Sequence, residues 1–313
     1  MVPLLLLLLL LSSPLPSVRA TSNVTTVSVS LLPNPGAPVA PNFVGLSIEV
    51  GAVLKMIGER GDSAPLATLL NHWSKLSAGD HAGPTLRFGG NSADDSGWSD
   101  DPAAPRPAGI SYAITSADLD AYTAFASTTA AEANVSLIID TNFGTTPDPT
   151  RFGVPHVKAV VGHPNLLPYV SAVEVGNEVD LFVHEKPGHA VHRNTSYTEA
   201  EYEVEWGRFV DAYEDASKGG LPKGMIQAAT YADANHEWGS RLNALLTTWK
   251  DHLASVSLHR YATSTCSGTP VTRADLLSDE ATRGKGKEGA LMYTSCVYTY
   301  GALAKLTCGA FTV

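Results

Sequence analysis

Between Asn23 and Leu32 (NVTTVSVSLL), valine and leucine alternate with threonine and serine at a period of two. That alternation predicts a half-buried antiparallel strand. Residues 33–42 are crowded with Pro, Gly and Asn and read as a linker. The pattern then changes. Short β-branched or apolar runs at 43–48, 85–88, 136–139, 172–175, 226–229 and 255–258 predict strands. Stretches with apolar residues at helical spacing, at 64–76, 116–132, 199–218 and 242–252, predict helices between them. Strands alternating with helices imply an α/β fold with a parallel sheet and helical crossovers. Six such steps exceed what a small doubly wound domain holds. They predict a (β/α)8 TIM barrel that is incomplete, with about six βα units.

The polar residues gather where these strands end. The runs exit into Glu49, Gly89-Gly90-Asn91-Ser92-Ala93-Asp94-Asp95, Asp140-Thr141-Asn142, Gly176-Asn177-Glu178, Tyr231-Ala232-Asp233 and His259-Arg260-Tyr261. In a barrel of this kind the loops at the carboxyl ends of the strands converge on one mouth, where active sites lie. One Asp after a strand is an ordinary helix cap. Acids, amides, a His and tyrosines at six strand ends predict a polar site on one rim.

Composition and charge narrow the class. Apolar residues make up 44% of the 313, enough for a sizeable core, which excludes wholesale disorder. The formal net charge is −10 and no basic run occurs, which argues against a nucleic-acid partner. Three cysteines (Cys266, Cys296, Cys308) are too few for a disulfide scaffold. The unbroken leucine run at 4–11, followed by Ser12-Ser13-Pro14 and Val18-Arg19-Ala20, predicts a signal peptide over 1–20 and a secreted, extracellular protein. The run is too short for a membrane span, which needs about twenty apolar residues. Sequons stand at Asn23, Asn134 and Asn194. Asn134 borders a run that reads as a buried strand, so glycosylation is expected at Asn23 and Asn194.

Several patterns carry no cofactor chemistry. His184, His189 and His192 have loose metal-ligand spacing, but Pro187 and Gly188 interrupt them, so they read as a loop and no metal is expected. Gly89-Gly90-Asn91 lacks the full dinucleotide-binding spacing. Trp98, Trp206 and Trp238 have the flat faces that stack on sugars, with Trp206 on a helical pattern that favours packing.

Asn177-Glu178 is the most informative pair. Glycoside cleavage needs an acid to protonate the leaving oxygen and a second carboxylate beneath the sugar ring. An amide beside the acid can hydrogen-bond the 2-hydroxyl, a contact that strengthens in an oxocarbenium-like transition state. VGLSIEVG, LRFGGNSADDSGW, VEVGNEVDLF and SLHRYA together resemble glycoside hydrolase family 79, the β-glucuronidase and heparanase-like enzymes. The resemblance implies a retaining glycosidase barrel acting on terminal β-glucuronides or related uronic-acid glycans, without a cofactor. It implies that Glu178 is the acid/base and that Asn177 meets the 2-hydroxyl. Glu49, Asp94 and His259 are implied to contact the sugar, and Tyr261 to hold the nucleophile. It also implies that the amino-terminal strand belongs to a C-terminal β-sandwich that this chain lacks. The implied partner is a glycan or glucuronide substrate, with no nucleic acid and no membrane span, and no oligomeric state is assigned.

The chain departs from the resemblance at the nucleophile, which should be a Glu ending a seventh strand. Glu288 follows Gly284-Lys285-Gly286-Lys287, which holds no apolar residue and cannot be a buried barrel strand. Glu280 lies in a segment that reads as helix. Both are long shots for that role. The expected organisation is therefore a signal peptide at 1–20, a strand and linker at 21–35, a partial barrel at 36–283 and an unmatched, truncated or aberrant tail at 284–313. The alternative reading is a carbohydrate-binding pseudoenzyme without turnover, or a non-functional fragment of such an enzyme.

Overall fold

The structure, a computed structural model, describes residues 44–76, 83–101, 103–184, 191–232, 237–259 and 272. Six strands form one parallel sheet: β1 (Gly45–Glu49), β2 (Thr85–Gly89), β3 (Ser136–Thr141), β4 (Val170–Val175), β5 (Ile226–Tyr231) and β6 (Leu253–Leu258). Their order in the sheet is their order in the chain, and every neighbouring pair is parallel. A doubly wound sheet reverses direction at a switch point. This one does not, so its crossovers wind one way, as in a barrel.

Period two sorts the side chains of these strands. Ile48, Leu86, Phe88, Leu137, Ile139, Val173, Val175, Ile226, Ala228 and Val256 join the apolar core. Alternating with them, Ser47, Arg87, Asp140, Glu174, Gln227 and Ser255 fall on the opposite face. Helices α1 (Ala64–Leu76), α2 (Ser116–Ala124), α3 (Gly153–Gly162), α4 (Glu199–Glu214) and α5 (Glu237–Trp249) supply the crossovers.

Local chemistry sets the helix bounds. Thr198 caps α4: Glu201 N–H donates to its hydroxyl at 3.3 Å, and Thr198 N–H donates back to the Glu201 carboxylate at 2.7 Å. That reciprocal pair satisfies two orphan donors of the first turn. Tyr202, Trp206, Phe209 and Tyr213 recur at helical spacing and are fully buried, and Trp206 meets Trp249 of α5 edge-on at 5.5 Å. The helix expected to reach 218 ends at Glu214. Asp215 turns the chain by accepting Ser217 N–H at 2.8 Å, which competes with helix continuation.

The helix expected over 116–132 is also subdivided. It is α-helical to Ala124, widens through Phe125–Thr129, where Ala130 N–H reaches back five residues to the Phe125 carbonyl at 2.7 Å, and closes with a tight turn at Ala131–Ala133. Gly61 passes so close to the same place that a Cβ on it would lie 2.2 Å from the Ala121 carbonyl oxygen and 2.6 Å from the Phe125 amide nitrogen, and Thr129 Oγ1 donates to the Gly61 carbonyl at 2.5 Å. The widening follows that intrusion. After β2 the chain adds a short parallel pair, Ser96–Trp98 and Tyr112–Ile114, which periodicity alone does not reveal. No helix among the described residues is long and apolar enough to cross a membrane. The strand expected from Asn23 to Leu32 lies outside the described residues.

Candidate active site

A belt of hydrogen bonds runs across the polar face of the sheet from β6 to β1. Ser255 Oγ donates to Gln227 Oε1 at 2.7 Å, and Gln227 Nε2 donates to Glu174. Glu174 accepts Arg87 Nε through both oxygens, at 2.9 and 3.1 Å, and also pairs with Arg87 Nη2. Arg87 Nη1 donates to Ser47 Oγ at 3.0 Å, and Nη2 lies 3.5 Å from Asp140 Oδ2. Barrel interiors are ordinarily filled with branched apolar side chains. A polar layer here needs the pairing it has, because a buried charge without a partner is costly.

The charges in this belt settle unequally. Burial alone would raise Glu174, but the Arg87 guanidinium and its bonds hold it below the ordinary carboxylate range. Asp140 goes the other way. Burial, with the Glu174 charge adding to it, pushes it well above that range despite Arg87. Arg87 loses ground to burial and regains more from Glu174 and Asp140, so it stays cationic.

The belt ends at the mouth. Arg87 Nη2 also donates to Asn177 Oδ1 at 2.8 Å, and Asn177 Nδ2 donates to Asn91 Oδ1 at 2.8 Å. Asp94 lies beneath, 2% exposed. Its Oδ1 accepts the amides of Gly144 (2.9 Å) and Phe143 (3.4 Å), and its Oδ2 accepts that of Asn177 (3.3 Å). Burial lifts Asp94 to about 8, with the three amides pulling the other way and the Asp95 charge adding to the rise.

Glu178 follows Asn177 in the left-handed region, at φ 49° and ψ 48°. Thr230, at the end of β5, does the same at φ 50°, and its carbonyl accepts Glu178 N–H at 2.8 Å. A non-glycine residue there costs on the order of 1–2 kcal/mol, and such strain persists only where the surroundings impose it. Gly176 makes the turn possible: it sits at φ 81°, and a Cβ there would meet Phe143 Cβ at 2.8 Å. The Glu178 side chain is buried, and its Oε1 lies 2.8 Å from Nδ1 of His259, at the end of β6. His259 N–H in turn donates to the Tyr231 carbonyl at 2.8 Å.

Glu49 stands on the exposed rim. Its Oε2 accepts Ser92 Oγ (2.6 Å) and Ser92 N–H (2.9 Å), and its Oε1 accepts Asn91 N–H (3.3 Å). Gly90, at φ 86°, lets that loop wrap the carboxylate, since a Cβ there would lie 2.4 Å from Glu49 Oε1.

The structure thus brings Glu49, Asp94, Asn177, Glu178 and His259 to one mouth. Tyr261, Glu280 and Glu288 lie outside the described residues, as do Asn23, His189 and the three cysteines. Asn194 is exposed, and its Oδ1 accepts Ser196 N–H at 3.0 Å. Among the described residues no group of three or more His, Cys, Asp or Glu could hold a metal. His192 packs on Phe182, with ring centres 4.7 Å apart. Trp206 is a core residue, and half-buried Trp98 donates to Asp100 at 2.7 Å. Sequence reasoning missed Arg87, Glu174 and Gln227. The available signal was a single charged or amide residue inside each of the strands TLRFG, VSAVEV and IQAATY.

No family model and no characterised protein matches the chain in sequence. Among solved structures it is similar to a 4-O-α-L-rhamnosyl-β-D-glucuronidase from Fusarium oxysporum 12S, with a TM-score of 0.57 and 16% identity over 78% of this chain and 49% of that one. A family 51 α-L-arabinofuranosidase from Bifidobacterium longum gives a TM-score of 0.47 and 18% identity over 76% and 48%. The chain spans about half the length of each. The first likeness shows the fold: a partial TIM-barrel-like α/β architecture shared with a glycoside hydrolase.

Proposed function

We propose that this chain is the barrel portion of a secreted retaining glycoside hydrolase of the family 79 type, acting on terminal β-glucuronides or related uronic-acid glycans. The observation that carries the reading is Asn177-Glu178 at the end of β4. Glu178 is buried in a strained turn and faces His259 from β6, and Asn177 is tied into the belt through Arg87.

In this reading Glu178 protonates the leaving oxygen and then, as carboxylate, draws the proton from the attacking water. His259 suits both states, because an imidazole nitrogen donates to a carboxylate and accepts from a carboxylic acid. Asn177 Nδ2 carries two hydrogens. One serves Asn91, and the other is assigned to the sugar 2-hydroxyl. Glu49 and Asp94 are assigned to the distal hydroxyls, Glu49 from the rim and Asp94 from beneath, where it also holds the Asn177 backbone. Tyr261 and the nucleophile complete the assignment, with Glu288 and Glu280 as candidates. Asn23 and Asn194 carry glycans, in keeping with the leader at 1–20. The uronic-acid preference rests on the sequence resemblance and on the fold shared with a glucuronidase.

The test is stereochemical. The purified protein is mixed with an aryl β-glucuronide in deuterated buffer, and the first anomer released is identified by proton NMR. Initial release of the β-anomer is expected. An α-anomer first, or no release from a folded protein, would defeat the retaining assignment.

A further inference from the structure

Arg193 lies fifteen residues after the acid/base, in a loop that returns to the mouth. It is not part of any motif recognised in the sequence. Its guanidinium is fully engaged. Nη1 donates to the carbonyls of Gly144 (2.8 Å) and His192 (2.9 Å), Nη2 to that of Phe143 (3.0 Å), and Nε to Glu205 of α4 (3.0 Å). The guanidinium carbon sits 5.3 Å from the ring centre of Phe143, 5.6 Å from Phe182 and 5.5 Å from Tyr197. Tyr197 steadies Glu205 in turn through a 3.1 Å hydrogen bond.

One peptide group links this cation to the catalytic turn. The Phe143 carbonyl that receives Arg193 and the Gly144 amide that binds Asp94 belong to the same peptide unit. A peptide dipole of about 3.5 D therefore lies between a guanidinium at its carbonyl end and the Asp94 carboxyl group at its amide end. No side chain fits there, since a Cβ on Gly144 would lie 2.7 Å from both Asp94 Cβ and His192 Cε1. From Asp94 the connection runs to the amide of Asn177. The same loop grips the far side of Glu178. The amides of His192 and Arg193 both donate to the carbonyl of Phe182, at 3.0 and 3.2 Å, which ties the residue after the tight turn Val179–Leu181 to this loop.

We infer that Arg193 is a positioning residue that sets the aim of Glu178, by holding the neighbouring Asn177 through the Phe143–Gly144 peptide and Asp94, while the backbone of the same loop holds Phe182 beyond it. The inference rests on Glu178 being the acid/base. Arg193 touches neither substrate nor the reacting atoms. A lysine keeps the charge but cannot reach two neighbouring carbonyls and Glu205 together.

The test separates aim from general folding. Departure of methanol from a methyl β-glucuronide needs protonation by Glu178, whereas 2,4-dinitrophenolate leaves without it. kcat/KM on the two substrates reports this step for wild type, Arg193→Lys and the milder Glu205→Gln, with Glu178→Gln as reference. The expected result is a loss at least about tenfold greater on the methyl glycoside than on the dinitrophenyl glycoside, in the direction of Glu178→Gln. Equal losses on both substrates, or none, would overturn the inference. If wild type turns over neither substrate, the functional reading fails and amide hydrogen exchange decides the structural claim. Faster exchange at Gly144 and Asn177 in Arg193→Lys, with Phe209 of α4 unchanged, would uphold the clamp. Unchanged exchange at Gly144 and Asn177 would refute it.

Discussion

Replacing Arg87 by methionine removes the positive charge between two carboxyl groups whose side chains are wholly buried, Glu174 and Asp140. Burial pushes Asp140 well above the ordinary carboxylate range while Arg87 holds Glu174 below it, so the Arg87 charge is balanced chiefly by Glu174. Breaking a buried pair from one side costs about 3–5 kcal/mol. For a domain of this size that lowers Tm by roughly 6–20 °C. The penalty must depend on pH. Glu174 is held below its unfolded value, so its contribution is complete above the ordinary carboxylate pKa and disappears as pH falls through the folded one. Without Arg87 the Glu174 pKa rises, and protonation relieves the uncompensated charge. Urea unfolding of wild type and Arg87→Met at pH 7 and pH 4 should show the difference shrinking at the lower pH, as Glu174 of the variant takes up its proton. Adding Glu174→Gln should recover at least half the loss at pH 7, because no buried charge is then left alone. A difference below about 1 kcal/mol at pH 7, or one independent of pH, would refute the belt as an electrostatic unit.

Three further outcomes follow from other parts of the fold. His156 is buried, and burial lowers its pKa to about 4, so between pH 4 and 6.5 the unfolded chain binds a proton that the folded one refuses. Stability should rise with pH across that window by roughly 2–3 kcal/mol on this account alone, and urea titrations of His156→Leu should show a flatter rise. Thr198→Ala removes the α4 cap and should cost about 1 kcal/mol in the same assay; no measurable change would contradict the capping geometry. Gly90→Ala places a Cβ against Glu49 in a left-handed turn and should cost about 1–3 kcal/mol; a neutral melt would show that the Asn91-Ser92 loop does not wrap Glu49 as described.

The six barrel strands were legible because each is a short apolar run closed by polar residues, and burial on the helix-facing side demands that pattern. Asn177-Glu178 was legible as the polar end of the fourth such run, and its strained turn at the end of β4 was not. Arg87 and Glu174 were harder to assign. A lone charge in a strand says that something pairs with it, but partners 87 residues apart are set by register across the sheet. Arg193 gave no local signal. The two partners that tie it to the mouth are backbone carbonyls about fifty residues upstream, and carbonyls carry no sequence identity. The widened turn after α2 was equally hidden, because what packs beside it and accepts Thr129 Oγ1 is the backbone of Gly61, 68 residues upstream.

The most direct test of the account is hydrolysis of a chromogenic β-glucuronide by the purified 313-residue chain, beside Glu178→Gln as an isosteric control. The account predicts turnover by the wild type that falls by about 10²- to 10⁴-fold in the variant, the usual worth of a positioned acid/base. A loss of less than tenfold, or no turnover from a cooperatively folded wild type, would contradict it.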